Sequence, residues 1–380
     1  MRRLFLFFTC ILFSGCASSK FEKTQKNILS EKEISTLMET MTVREKIGQM
    51  IAIVPENLDL TLTQEQIDNG KVAATAGLTR QMKENYKRYP AGTIILFGKN
   101  IEDPEQTTEF ISDLKALSKI PIMISVDEEG GRVARIAKNE NFGIENLPPA
   151  LETETEKKAF DNSFSIGSYL SKYGFTADFA PVADIWTNEA NTVIGNRAFS
   201  KEPKTAAKMV KASIKGFHKA KVLTSIKHFP GHGDTTADSH TESAISCKTW
   251  EELKRCEMIP FKSGIDAGTD MVMIAHIRTP NAKTEDLPAT LSRIWITDRL
   301  RGELGFNGVV ITDAMGMKAV SKYFRSTESA LMAINAGCDI ILMPHDYAKV
   351  FDYLVACVED GTLSIERIDQ SVKRILRMKL

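Results

Sequence analysis

The chain has 380 residues, of which 49 are basic and 49 acidic, so its formal net charge is zero. At 43% hydrophobic and 26% charged it has an ordinary globular composition, long enough for two domains or one large α/β barrel. The balance excludes a global basic field of the kind nucleic acid selects, and no long contiguous run of one sign forms a charged tail.

The N-terminus stands apart. Arg2-Arg3, the apolar run from Leu4 to Phe13 and the small Ser14-Gly15 before Cys16 predict a secretory signal over residues 1–16. Phe13-Ser14-Gly15-Cys16 is similar to a bacterial lipobox, with Phe13 where Leu is usual. Cys16 is thus the expected lipidation site, and a plain cleaved signal is the alternative. Residues 17–30 are polar and read as a tether, leaving one domain over 31–380. The expected location is outside the cytoplasm, on a membrane, either periplasmic or at the cell surface. Cys247, Cys256, Cys338 and Cys357 then remain, with no CxxC pair among them. Export would permit one disulfide, while Cys338 and Cys357 read as small apolar filler.

Thr42-Val43-Arg44-Glu45 is a capping-box pattern that starts a short helix. Strands are expected at Gln49–Val54, Ala91–Phe97 and Pro121–Val126. Between them lie a polar helical region over Gln64–Arg88 and a helix capped by Asp103-Pro104. A long helical pattern fills Glu152–Lys172, and Ala177–Ile185 is the fourth strand. An amphipathic helix over Pro203–Ala220 feeds the fifth, Val222–Ile226. A second capping box at Thr249 opens a helix to about Asp266. Asp270–Ile277, Gly308–Ile311 and Asp339–Met343 complete the set of strands, separated by helices at Ser292–Leu304 and Thr327–Ala336. Two helices close the chain. Eight near-continuous apolar runs alternating with helices predict parallel strands covered on both faces, hence a (β/α)8 barrel. A doubly wound sheet is the runner-up, but no Gly-x-Gly-x-x-Gly turn follows the first strand.

Polar residues gather just after the strand ends, where barrels place their chemistry. Asp313 ends an apolar strand, and reads equally as a mouth carboxylate or a helix N-cap. The stretch KHFPGHGDTTADSH, Lys227 to His240, holds three of the six histidines. Asp238 and His240 are two apart, so in extended chain their side chains share a face. A carboxylate on one imidazole nitrogen fixes the tautomer and raises the ring's affinity for a proton, giving a group able to donate and retake one. A merely hydrogen-bonded loop is the plainer reading. His228, His232 and His240 have spacings that match no helical zinc pattern, so no metal is expected. Lys227 and His228 should face the mouth, or else form a buried ion pair. Asp127, beside the turn-permitting Gly130-Gly131, can accept two sugar hydroxyls. Arg132, Arg135 and Arg197 read as sugar donors or as ion-pair partners of Glu128 and Glu129. Asp184 and His276 fit structural and pocket-lining roles alike.

Five blocks now resemble glycoside hydrolase family 3, in particular its bacterial β-N-acetylglucosaminidases. They are DEEGGRVAR from Asp127, FAPVADI from Phe179, GNRAFS from Gly195, the KHFPGHGDTTADSH stretch and ITDAMGM from Ile311. The resemblance runs in order from about residue 40 to the C-terminus. It implies a single barrel domain, retaining two-step hydrolysis, Asp313 as nucleophile and Asp238–His240 as the acid/base dyad. Asp127, Arg135, Arg197, Lys227 and His228 match positions that hold the terminal N-acetylglucosamine, and no cofactor is implied. Many members carry Gln where Glu128 stands. The expected partners are an N-acetylglucosamine-containing glycan and, through a lipid anchor, a membrane. The alternatives are a β-glucosidase, a phosphorylase using phosphate in place of water, a non-catalytic glycan-binding lipoprotein, and a metal-dependent barrel enzyme.

Overall fold

A computed structural model describes residues 30–68, 72, 75–235 and 244–380. The main strands are β1 (Ile51–Ile53), β2 (Thr93–Ile95), β3 (Met123–Val126), β4 (Ala177–Asp178) and β5 (Leu223–Phe229). They are followed by β6 (Ala244–Ile245), β7 (Met271–Ile274), β8 (Ile277–Arg278), β9 (Val309–Thr312) and β10 (Ile341–Leu342). Eight pair in the order β10-β1-β2-β3-β4-β5-β7-β9, all parallel. A parallel bridge between Ile311 and Ile340 joins the two ends of that row, and the ring is a (β/α)8 barrel. β6 and β8 form a small separate ribbon that flanks the mouth.

The strand residues are buried almost throughout, because barrel side chains fill the inside while helices cover the outside. The capping signals act as expected. Thr42 and Glu45 close a reciprocal box at the helix Val43–Gln49, and Asp103 accepts from the N–H groups of Glu105 and Gln106. Asp339 fastens the seam of the ring. Its carboxylate accepts from the Val310 N–H at 2.9 Å and pairs with Arg301 at 2.6 Å and Arg374 at 3.0 Å.

Three expectations need correction. The fourth strand runs only over Ala177–Asp178, because Pro181 offers no N–H to continue the ladder; a single bridge resumes at Val182. The fifth runs three residues further, to Phe229, so Lys227 and His228 belong to the strand itself. The segment Ile294–Glu303 is wound as a π-helix and ends before Gly305, whose φ is +75°. Cys247, Cys256, Cys338 and Cys357 are free thiols, and Cys338 and Cys357 are buried as filler.

Candidate active site

The C-terminal ends of the strands enclose a cavity of about 240 Å³. Asp127, Arg135, Arg197, Lys227, His228 and Asp313 all line it, with His232 and Glu129. Phe97, Phe179 and the methionines Met273, Met317 and Met343 supply its apolar wall. Asp238 and His240 lie outside the described residues, as does Cys16.

β3 sets the acidic side. Just past its end Asp127 and Glu129 line the cavity, while Glu128 turns away to bind backbone N–H groups. Lys227, 2% exposed, reaches across from β5 and lies 2.7 Å from each inward carboxylate. Glu129 also receives a two-pronged grip from Arg197, with both nitrogens at 2.8 Å. Burial pushes the Glu129 carboxyl up, but Arg197 and Lys227 outweigh it and hold the group below the usual carboxylate range. Burial pulls the Lys227 ammonium down; Asp127 and Glu129 outweigh that in turn, and the net shift is upward. The set is therefore a network of fixed charges with one carboxylate, Asp127, still reachable from the cavity. Arg135 stands 3.9 Å from Asp127, and its buried Nε has no hydrogen-bond partner among the described residues.

Asp184 organises the imidazoles. One of its oxygens lies 2.6 Å from His228 Nδ1, and the other accepts the His232 N–H at 2.6 Å. The Nδ1 contact turns His228 Nε2 toward Arg197, 3.4 Å away. His232 meets Thr235 Oγ1 through Nδ1, and burial foremost lowers its affinity for a proton. His276 serves the strand end. Its Nδ1 meets Thr290 Oγ1 at 2.7 Å and its Nε2 the Ala314 carbonyl at 3.0 Å, bracing the backbone beside Asp313. The Asp313 N–H donates to the Ile274 carbonyl, and one carboxylate oxygen accepts the Ala314 N–H at 2.8 Å.

Glu128 stays out of the pocket. It accepts the N–H groups of Ile136 at 3.0 Å and Ala137 at 2.9 Å, that of Arg135, and the Tyr169 hydroxyl at 2.8 Å. Its hydrogen bonds shape the loop that carries Arg135, and it contributes nothing to the cavity lining. Arg132 likewise grips the carbonyls of Val193 and Ile194 and steadies the loop of Arg197. Period-two alternation along Asp127-Glu128-Glu129 would have separated these roles; the bracing by Asp184, Tyr169 and Arg132 depends on distant segments and has no local signal.

A mouth cavity walled by carboxylates, cations and an oriented imidazole stands where (β/α)8 barrels place their chemistry. The chain belongs to glycosyl hydrolase family 3: residues 42–378 match the family's N terminal domain. It is 33% identical over 335 residues to beta-hexosaminidase A of Pseudoalteromonas piscicida, covering 81% of this chain and 56% of that one. It is 35% identical over 277 residues to the beta-hexosaminidase of Stenotrophomonas maltophilia strain R551-3, covering 70% and 80%. The glycoside hydrolase family 3 beta-N-acetylglucosaminidase of Paenibacillus sp. str. FPU-7 superposes with a TM-score of 0.80 at 36% identity, over 89% of this chain and 62% of that one. The chain thus spans little more than half of the first of these relatives.

Proposed function

We propose that the chain is a retaining exo-β-N-acetylglucosaminidase that removes terminal non-reducing N-acetylglucosamine from peptidoglycan- or chitin-derived glycans. The observation that carries this reading is that the Asp313 carboxylate shares one cavity with Asp127, Arg135, Arg197, Lys227 and His228. A carboxylate at the rim can attack an anomeric carbon while a fixed hydrogen-bonding floor holds the sugar hydroxyls. The beta-hexosaminidase names of its relatives support the same substrate.

In this reading Asp313 forms a bond to the anomeric carbon as the bond to the leaving oxygen breaks. His240, oriented by Asp238, gives that oxygen its proton. The same imidazole then takes a proton from water, which displaces Asp313 and restores the carboxylate. Retention follows from two inversions. The reading extends to an exported chain, lipidated at Cys16 and held at a membrane by residues 17–30, with 31–380 as one catalytic domain.

Turnover of a chromogenic aryl N-acetylglucosaminide tests the core of the proposal. Asp313→Ala should abolish release of the aryl group, and His240→Ala should slow it strongly. Normal turnover by the Asp313 variant would remove the nucleophile assignment. Formation of a sugar 1-phosphate in phosphate buffer would replace hydrolysis by phosphorolysis.

A further inference from the structure

The helix Pro203–Lys219 carries a one-sign stripe in a chain of zero net charge. Lys204, Lys208, Lys211, Lys215 and Lys219 are all exposed, and Lys221 follows them just past the helix end. No acidic residue occurs between Glu202 and Asp234. Spacings of four, three, four and four keep the five helical lysines within an arc of roughly 80° and a length of about 22 Å. None of them has a salt-bridge partner among the described residues. The flanking helices do not neutralise the stripe, since Asp161 is taken by Lys157 and Asp266 by Lys262. Lys219 rests its ammonium 4.6 Å above the Phe164 ring.

Like charges one turn apart disfavour a helix, and among the described residues no carboxylate pairs with any of the five. A polyanion would. The apolar face of the helix is already spent on the barrel, where Val210, Ile214 and Phe217 are buried, so the helix has none left to enter a bilayer. Its first turn follows closely on the loop of Arg197, on the cavity wall, so the stripe starts near the rim and runs down the barrel flank. The helix that begins at Glu31 packs against Ile365–Lys379, after β10, on the far side of the strand ring from β4 and β5.

We propose that Lys204, Lys208, Lys211, Lys215 and Lys219 form a secondary surface that holds a carboxylate-bearing glycan polymer while its end occupies the mouth. This rests on the glycosidase reading above and adds to it a charge preference outside the catalytic cavity. Weak contacts along the stripe raise the local concentration of polymer ends at the rim.

The test uses the full chain, a variant with all five lysines changed to Gln, and a charge-keeping variant with all five changed to Arg. The substrates are soluble peptidoglycan fragments, whose peptide stems carry carboxylates, and the aryl N-acetylglucosaminide. At about 20 mM salt, where screening is weak, the Gln variant should show a KM for the polymer raised about tenfold, with the aryl substrate unaffected. The Arg variant should match the wild type, and about 300 mM salt should raise the wild-type KM toward that of the Gln variant. An unchanged polymer KM in the Gln variant overturns the proposal. So does wild-type pelleting with anionic phospholipid vesicles in preference to insoluble peptidoglycan. If the wild type is silent on the aryl glycoside, the glycosidase reading fails, while pelleting with peptidoglycan against neutral chitin still decides the stripe.

Discussion

Lys227 and Asp127 form a 2.7 Å ion pair in which the lysine is all but sealed from solvent. The same ammonium serves Glu129 at equal distance, so one cation bridges two carboxylates. Lys227→Met should leave both acids facing each other in a low dielectric, with Arg197 on Glu129 and the more distant Arg135 on Asp127. The expected cost is about 3–5 kcal/mol of stability, as for other broken buried pairs. Urea unfolding measures it, and a loss under about 1 kcal/mol would show that water already screens the floor.

Asp184 fixes His228 through Nδ1, which decides the direction its Nε2 faces. In Asp184→Asn the amide cannot accept from both the His228 ring and the His232 N–H, so the imidazole is free to tilt. A shift of an ångström at such a site costs about 100-fold. kcat/KM on the aryl glycoside should fall by that order while the circular dichroism spectrum holds. Activity within twofold of wild type would mean that His228 needs no such brace.

Asp339 gathers Arg301 and Arg374 at the closing seam and accepts the Val310 N–H and the Ser371 hydroxyl. Asp339→Ala strands these groups in the interior. We expect a destabilisation of about 3–5 kcal/mol, read from denaturant midpoints. Below the unfolding transition the variant should keep its KM, because the seam contact lies at the barrel end away from Asp313.

His345 and Asp68 tie the loop after β10 to the segment after β1, with 2.9 Å between ring and carboxylate. The Asp68 hydrogen bond raises the imidazole above its usual value of 6.5. The raised folded value means that this contribution to stability is fully present below pH 6.5 and fades as pH climbs through the folded pKa. The melting-temperature gap between wild type and His345→Gln should be widest near pH 6 and narrow at higher pH. A gap that grows with pH would contradict the pair.

The barrel could be read from the chain because the strands are apolar runs and several helices open on a capping residue, and both are local properties. Asp127, Lys227 and Asp313 could be placed at the mouth for the same reason: each stands at the end of such a run. The division of labour inside the acidic cluster was harder. Glu128 and Glu129 are neighbours in sequence and both offered themselves to the arginines, yet Arg197 takes Glu129 while Glu128 binds backbone N–H groups and Tyr169. Asp184 fitted two roles because its partners arrive from residues more than forty positions away. The truncation of β4 had a local sign in Pro181, overridden in reading by the apolar residues around it.

Lys379 donates to the Gln49 side chain and to the Gly92 carbonyl, at the entry to β2, while Arg377 pairs with Glu31. The first and last described helices are thus laced together at the base of the barrel. That lacing lies at the opposite end of the barrel from Asp313, so loosening it should leave the rim in place.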